Sequence, residues 1–137
     1  MARIMVVDDE IEIQIFLQDT FQQLGYEVIL AENGKKAVQY YREYAIDLVI
    51  MDLFMPEKEG LRAIVELQLE DPAIQIIVIS GGGKMGRTDM LALMKDFGVP
   101  YAFAKPFRVL ELVRAVNTLK TEDDQTHQTY ALYQTHR

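Results

Sequence analysis

The chain has 137 residues and carries 14 Lys and Arg against 21 Asp and Glu, a net charge of −7. That length fits one domain with a full core, and an acidic surface disfavours direct binding of nucleic acid. Cysteine is absent and the two histidines, His127 and His136, sit near the end, which excludes disulfides, thiolate metal sites and Cys nucleophiles, and denies the fold a Ser-His-Asp triad without the tail.

Ile4-Met5-Val6-Val7 is a β-rich apolar run that ends at Asp8. Ile13, Phe16, Leu17, Phe21 and Leu24 follow at helical spacing and are expected on one helix face. A second run, Glu27-Val28-Ile29-Leu30, comes after the turn residue Gly25. Ala37, Tyr41 and Tyr44 mark a second helix, and Leu48-Val49-Ile50-Met51 is a third run, ending at Asp52. Leu61, Ile64 and Leu67 mark a third helix that stops near Pro72. Ile76-Ile77-Val78-Ile79 is a fourth run, ending at Ser80 and three glycines. Met90, Leu91, Met94 and Phe97 mark a fourth helix. Tyr101-Ala102-Phe103-Ala104 is a fifth run, ending at Lys105-Pro106, and Val109, Leu112, Val113 and Val116 mark a fifth helix.

Near-continuous apolar runs fit parallel strands covered on both faces. Strand and helix alternate five times, which predicts a doubly wound α/β fold with right-handed crossovers and helices on both sides of a five-stranded parallel sheet. Residues 1–120 read as this domain. Residues 121–137 are rich in Thr, Gln, Asp and His and read as a helical extension followed by a tail. Met1 to Val7 run straight into Asp8, Asp9 and Glu10, which is not a signal-peptide core, and no stretch is long enough to span a bilayer. A cytoplasmic protein without a membrane partner is expected.

Ligands of open α/β sheets bind beyond the carboxyl ends of the strands. There the first strand delivers Asp8, Asp9 and Glu10, the third Asp52, the fourth Ser80 and the fifth Lys105. In a 2-1-3-4-5 strand order the carboxylates converge, and like charges this close raise one another's pKa. A hard divalent cation, Mg²⁺, Mn²⁺ or Ca²⁺, relieves the repulsion using oxygen ligands alone. A metal, a lysine and a hydroxyl around one carboxylate suit a phosphoryl group. Taken singly, each residue has a structural explanation: Asp8 or Asp9 as a helix cap, Glu10 at the positive end of a helix, Asp52 and Ser80 in turns, Lys105 as a surface charge. Their joint position on one sheet edge is what favours chemistry.

Five motifs then carry a family resemblance: Val6-Val7-Asp8-Asp9, Val49-Ile50-Met51-Asp52-Leu53-Phe54-Met55-Pro56, Gly60, Ile79-Ser80 and Lys105-Pro106-Phe107. In this order and spacing the chain resembles a response-regulator receiver domain of two-component signalling, over residues 3 to 120. The resemblance implies a flavodoxin-like sheet of order 2-1-3-4-5. It implies that Asp52 takes a phosphoryl group, that Ser80 hydrogen-bonds it and that Lys105 pairs with its oxygens. Mg²⁺ (or Mn²⁺) would be held by Asp9, Asp52 and the backbone carbonyl of Phe54, with Asp8 acting through water. The Lys105-Pro106 bond would be cis. The phosphodonor would be a sensor histidine kinase or a histidine phosphotransfer protein, and the protein a signalling phosphoacceptor, not an enzyme acting on other substrates. Phosphorylation would switch a face formed by the fourth helix, fifth strand and fifth helix for an unknown downstream protein, including Met90, Met94, Lys95, Tyr101 and Phe103; Met90 and Met94 read equally well as core packing. A monomer or weak dimer is expected.

Two features depart from the family pattern. The aromatic switch residue, three positions before the lysine, is replaced by Ala102. Strand alternation aims the flanking Tyr101 and Phe103 to the opposite side. Phe54, two positions past Asp52, is bulky and apolar and is expected to shield an acyl phosphate from water. Three rival readings exist. Gly81 to Thr88 reads GGGKMGRT, one substitution from a P-loop, with Arg87 where the compact lysine ammonium is needed. A flavin-binding protein of similar fold needs a phosphate loop after the first strand, where this chain places acids. A docking-only receiver keeps the fold without phosphotransfer. No output domain follows in the sequence, so a stand-alone receiver or a piece of a larger regulator is expected.

Overall fold

The computed structural model describes residues 2–55, 59–81 and 87–120, without the side chains of residues 87 and 88. The 121–137 extension, Pro56, and Gly82 to Gly86 of the glycine-rich loop lie outside the described residues. The chain divides into two units, Met1–Pro106 and Phe107–Arg137.

The first unit carries β1 (Arg3–Val7), α1 (Ile11–Gln23), β2 (Glu27–Ala31), α2 (Gly34–Glu43), β3 (Leu48–Asp52), α3 (Glu59–Glu70), β4 (Ile76–Ser80), α4 (Arg87–Asp96) and β5 (Tyr101–Ala104). All five strands are parallel, in the order β2-β1-β3-β4-β5. β3 and β4 are buried along their whole length, as expected of central parallel strands that feed hydrophobic side chains to both faces. Met5, Val7, Val49, Met51, Ile76 and Val78 point to one face, where they join Ala37, Val38, Ala63, Ile64, Leu67, Met90 and Met94 in a single cluster. That face is covered by α2, α3 and α4. α1 packs on β1 and β2 and buries Leu17 and Phe21 away from that cluster.

Two sequence expectations about helix faces are corrected, and one alternative is decided. On α1, Phe16 is 49% exposed, and Leu24 lies past the helix end and is 53% exposed. The reason is angular: Leu17 and Phe21 lie about 40° apart around the helix, whereas Phe16 is about 100° from Leu17. On α2, the buried face is Gly34, Ala37 and Val38, and Tyr44 is the exposed C-cap. Met90 and Met94, which the sequence allows either on a partner-reading face or in the core, are 3% and 1% exposed and belong to the core. A flexible thioether fills the gap between a helix and the sheet it crosses.

In β5, Ala102 and Ala104 pack against the core cluster. Tyr101 and Phe103 lie off that cluster with their rings stacked, centroids 6.4 Å apart, in keeping with the strand alternation. In the second unit the described residues form α5 over 109–120. It buries Leu112, Ala115, Val116 and Leu119, the i, i+3, i+4, i+7 stripe of an amphipathic helix.

Candidate functional site

β1 ends at Val7, so Asp8 is the first residue beyond the strand. Its backbone N–H donates to the Ala31 carbonyl at 3.1 Å, continuing the ladder to β2 and fixing the side chain direction. Asp8 is fully buried. Its Oδ1 accepts from the Glu10 backbone N–H at 2.8 Å, and its carbonyl accepts from the Gln14 side-chain amide at 2.5 Å. Asp9 and Glu10 are exposed, and one carboxylate oxygen from each of Asp8, Asp9 and Glu10 lies within 4.8 Å of the others.

Asp52 is the last residue of β3 and 2% exposed. Its Oδ1 accepts from the Phe54 backbone N–H at 3.2 Å. The Leu53 N–H donates to the Ile79 carbonyl at 2.9 Å, which keeps Asp52 in register with β4. Gly60 secures the same place from below. A Cβ there would lie 2.1 Å from the Asp52 carbonyl oxygen and 2.6 Å from that of Leu53. Only a hydrogen at this position lets α3 start against the end of β3.

Ser80 ends β4, is 7% exposed, and pairs in register with Ala104 of β5. Its carbonyl accepts from the Lys105 N–H at 2.6 Å. The Lys105-Pro106 peptide bond is cis, as the resemblance implies. The Lys105 side chain then runs across Gly81, where a Cβ would lie 2.6 Å from Lys105 Cδ and 2.8 Å from its Cβ. Gly81 therefore gives the lysine stem its path. The sequence offers Gly81 as the start of a glycine-rich, P-loop-like run; its role beside Lys105 becomes visible once β4 and β5 are known to be neighbours.

Lys105 Nζ is the hub. It lies 2.8 Å from Asp8 Oδ2, 3.2 Å from Glu10 Oε1 and 3.4 Å from Asp52 Oδ2. The structure thus brings Asp8, Glu10, Asp52 and Lys105 into direct contact from β1, β3 and β5. Glu10, which the sequence places among the carboxylates at this edge without giving it a partner, is the third group that Lys105 contacts. Phe54 is half-buried and packs in part against the core cluster.

The charges are not balanced. Burial and then the charge of Asp8 push the Asp52 carboxyl from 3.8 up to about 6, against the pull of Lys105. Burial also raises the Asp8 pKa, although Lys105 and the Glu10 N–H lower it in part. For Lys105, burial works against the ammonium, but the bonds to Asp8, Asp52 and Glu10 outweigh it and hold its pKa above the ordinary lysine value. Two buried carboxylates against one ammonium leave excess negative charge in a site built only of oxygen donors. That donor set fits a hard divalent cation, Mg²⁺ or Mn²⁺.

An acidic pocket at the carboxyl edge of a 2-1-3-4-5 parallel sheet defines a flavodoxin-like protein whose site lies where the doubly wound fold changes winding direction. Residues 4–117 match the response regulator receiver domain family, and the chain belongs to that family. It is a signalling domain of the two-component type. Over 116 residues it is 35% identical to the chemotaxis protein CheY of Bacillus subtilis, covering 84% of this chain and 94% of the relative. It is 32% identical over 114 residues to sporulation initiation phosphotransferase F of the same organism, covering 83% of this chain and 90% of that protein. The response regulator protein TrrA of Thermotoga maritima, solved in complex with Mg²⁺ and BeF, is 33% identical with a TM-score of 0.74, covering 87% of this chain and 99% of that one. Among the described residues no helix is long and apolar enough to cross a membrane.

Proposed function

We propose that this protein is a phosphoacceptor of a two-component relay, with residues 1–120 acting as one receiver and Asp52 as the nucleophile. The observation that carries the reading is the single ammonium of Lys105 within 3.4 Å of both buried carboxylates, Asp8 and Asp52, at the carboxyl edge of the sheet. A carboxylate oxygen of Asp52 attacks the phosphorus of a phosphohistidine on a sensor kinase or phosphotransfer protein. The new bond is an acyl phosphate; the P–N bond breaks, and its electron pair stays on the imidazole nitrogen. Lys105 leaves the carboxylates to pair with phosphoryl oxygens, and the Ser80 hydroxyl donates to another.

Asp9, Asp52 and the Phe54 backbone carbonyl would hold Mg²⁺ directly, with Asp8 acting through water. When bound, the ion supplies charge neutralisation for the carboxylates and the incoming phosphoryl group. Phe54 screens one side of the acyl phosphate from water. Phosphorylation adds nearly two negative charges at the end of β3, which draws Ser80 inward. The exposed side of α4, with Leu91 and Lys95, and the neighbouring β5 then offer a changed surface to a downstream protein. The protein acts in the cytoplasm, as a monomer or weak dimer, with 121–137 as an extension.

Incubation with Mg²⁺ and a small acyl phosphate, followed by intact mass, tests this. One labile phosphoryl adduct is expected, requiring Mg²⁺ and absent in Asp52→Asn. No adduct in the wild type, where cation binding is measurable, leaves a docking-only module.

A further inference from the structure

We propose that Glu10 is a positioning residue for Lys105: it keeps the ammonium paired at the rim when Asp8 and Asp52 turn to a divalent cation, and so sets the cation affinity of the site. The inference rests on the phosphoacceptor reading above.

Lys105 has three ammonium donors and, in this structure, three carboxylate partners. Two of those partners, Asp8 and Asp52, are buried carboxylates that a cation needs. The lysine therefore occupies oxygens that the cation must share, and two positive charges in one buried pocket repel. An ammonium released without a partner would drift back to compete. Glu10 prevents this by its location. The Glu10 side chain is 60% exposed, against 0% for Asp8 and 2% for Asp52. It is the one of the three partners at which Lys105 stays both paired and hydrated.

The backbone shows that the Glu10 side chain is free for this task. Glu10 is the N-cap residue of α1, yet its side chain makes no capping hydrogen bond. Its backbone N–H instead anchors Asp8 Oδ1 at 2.8 Å, which fixes where the side chain starts, and its Oε1 reaches Lys105 at 3.2 Å. One residue thus orients a buried carboxylate through its main chain and holds the lysine through its side chain.

The test is a titration of Mg²⁺ binding across a double-mutant cycle of Glu10→Gln and Lys105→Ala. A partly exposed ion pair supports an expected weakening of about five-fold for Glu10→Gln in the wild-type background. The expected weakening falls below about two-fold in Lys105→Ala, where there is no lysine to hold. Glu10→Asp keeps the charge but shortens the reach, and is expected to behave like Glu10→Gln. Equal weakening in both lysine backgrounds, wild-type affinity in Glu10→Asp, or no weakening in Glu10→Gln would each overturn the inference. Thermal melts confirm folding, and Glu10→Asp carries the test if Lys105→Ala does not fold. Phosphoryl incorporation into the wild type is scored separately: its absence removes the phosphoacceptor reading, whereas a null cycle in a protein that is phosphorylated removes only the role of Glu10.

Discussion

Replacing Asp52 with asparagine stabilises the cation-free protein at neutral and alkaline pH. The side chain is 2% exposed, and burial followed by the Asp8 charge lifts its pKa from 3.8 to about 6. A gap of about two pH units corresponds to about 3 kcal/mol at about 1.4 kcal/mol each, with the attraction of Lys105 already included. Relaxation around the coupled carboxylates trims this, so a gain of about 2–3 kcal/mol is expected. The pH dependence follows from the direction of the change. Below about pH 4 the carboxyl is protonated in both folded and unfolded chains, and the substitution gains nothing through this route. Between about pH 4 and pH 6 the unfolded chain releases the proton while the folded chain keeps it, so wild-type stability falls as pH rises. Above about pH 6 the cost is complete. Urea unfolding with a chelator present, compared between the two proteins at about pH 4 and about pH 8, reads this directly. An Asp52→Asn protein less stable than wild type at the higher pH, or a gain independent of pH, would refute the reasoning.

Adding Mg²⁺ should raise the wild-type melting temperature, by up to about 2.7 kcal/mol of stability at a hundredfold excess over the dissociation constant, and raise that of Asp52→Asn less. Equal shifts in the two proteins would place the ion elsewhere. Gly60→Ala drives a methyl group into the backbone oxygens of Asp52 and Leu53 and is expected to cost about 3 kcal/mol, measured by urea unfolding; a loss under about 0.5 kcal/mol would show that α3 moves away without strain. Phe54→Asn is expected to shorten the lifetime of the phosphorylated state several-fold, followed by decay of the phosphoryl adduct. An unchanged or longer lifetime would count against shielding by Phe54.

The sheet was legible because each strand announces itself as an apolar run closed by a polar residue: Val7 before Asp8, Met51 before Asp52, Ile79 before Ser80. The 2-1-3-4-5 order came with the family resemblance, since runs and spacing leave the neighbours of a strand open. The helix faces were less legible. Phe16 and Leu24 are as apolar as Leu17 and Phe21, and only the angle around α1 and the position of its end separate exposed from buried. Met90 and Met94 carried no signal that distinguishes a core filler from a docking surface until α4 was placed on the sheet. In the site, the residue types at strand ends were readable one by one. The Glu10–Lys105 contact and the path of Lys105 over Gly81 were not, because both depend on residues 95 and 24 positions apart meeting across a sheet edge.

The central claim is that one carboxylate among several in this pocket accepts the phosphoryl group. The most direct measurement is borohydride reduction of the protein after treatment with Mg²⁺ and an acyl phosphate, followed by peptide mapping. Borohydride converts an aspartyl phosphate to homoserine and leaves free carboxylates unchanged. The account predicts homoserine at position 52 alone. Homoserine at position 8 or 9, or none anywhere while Mg²⁺ binds, would contradict it.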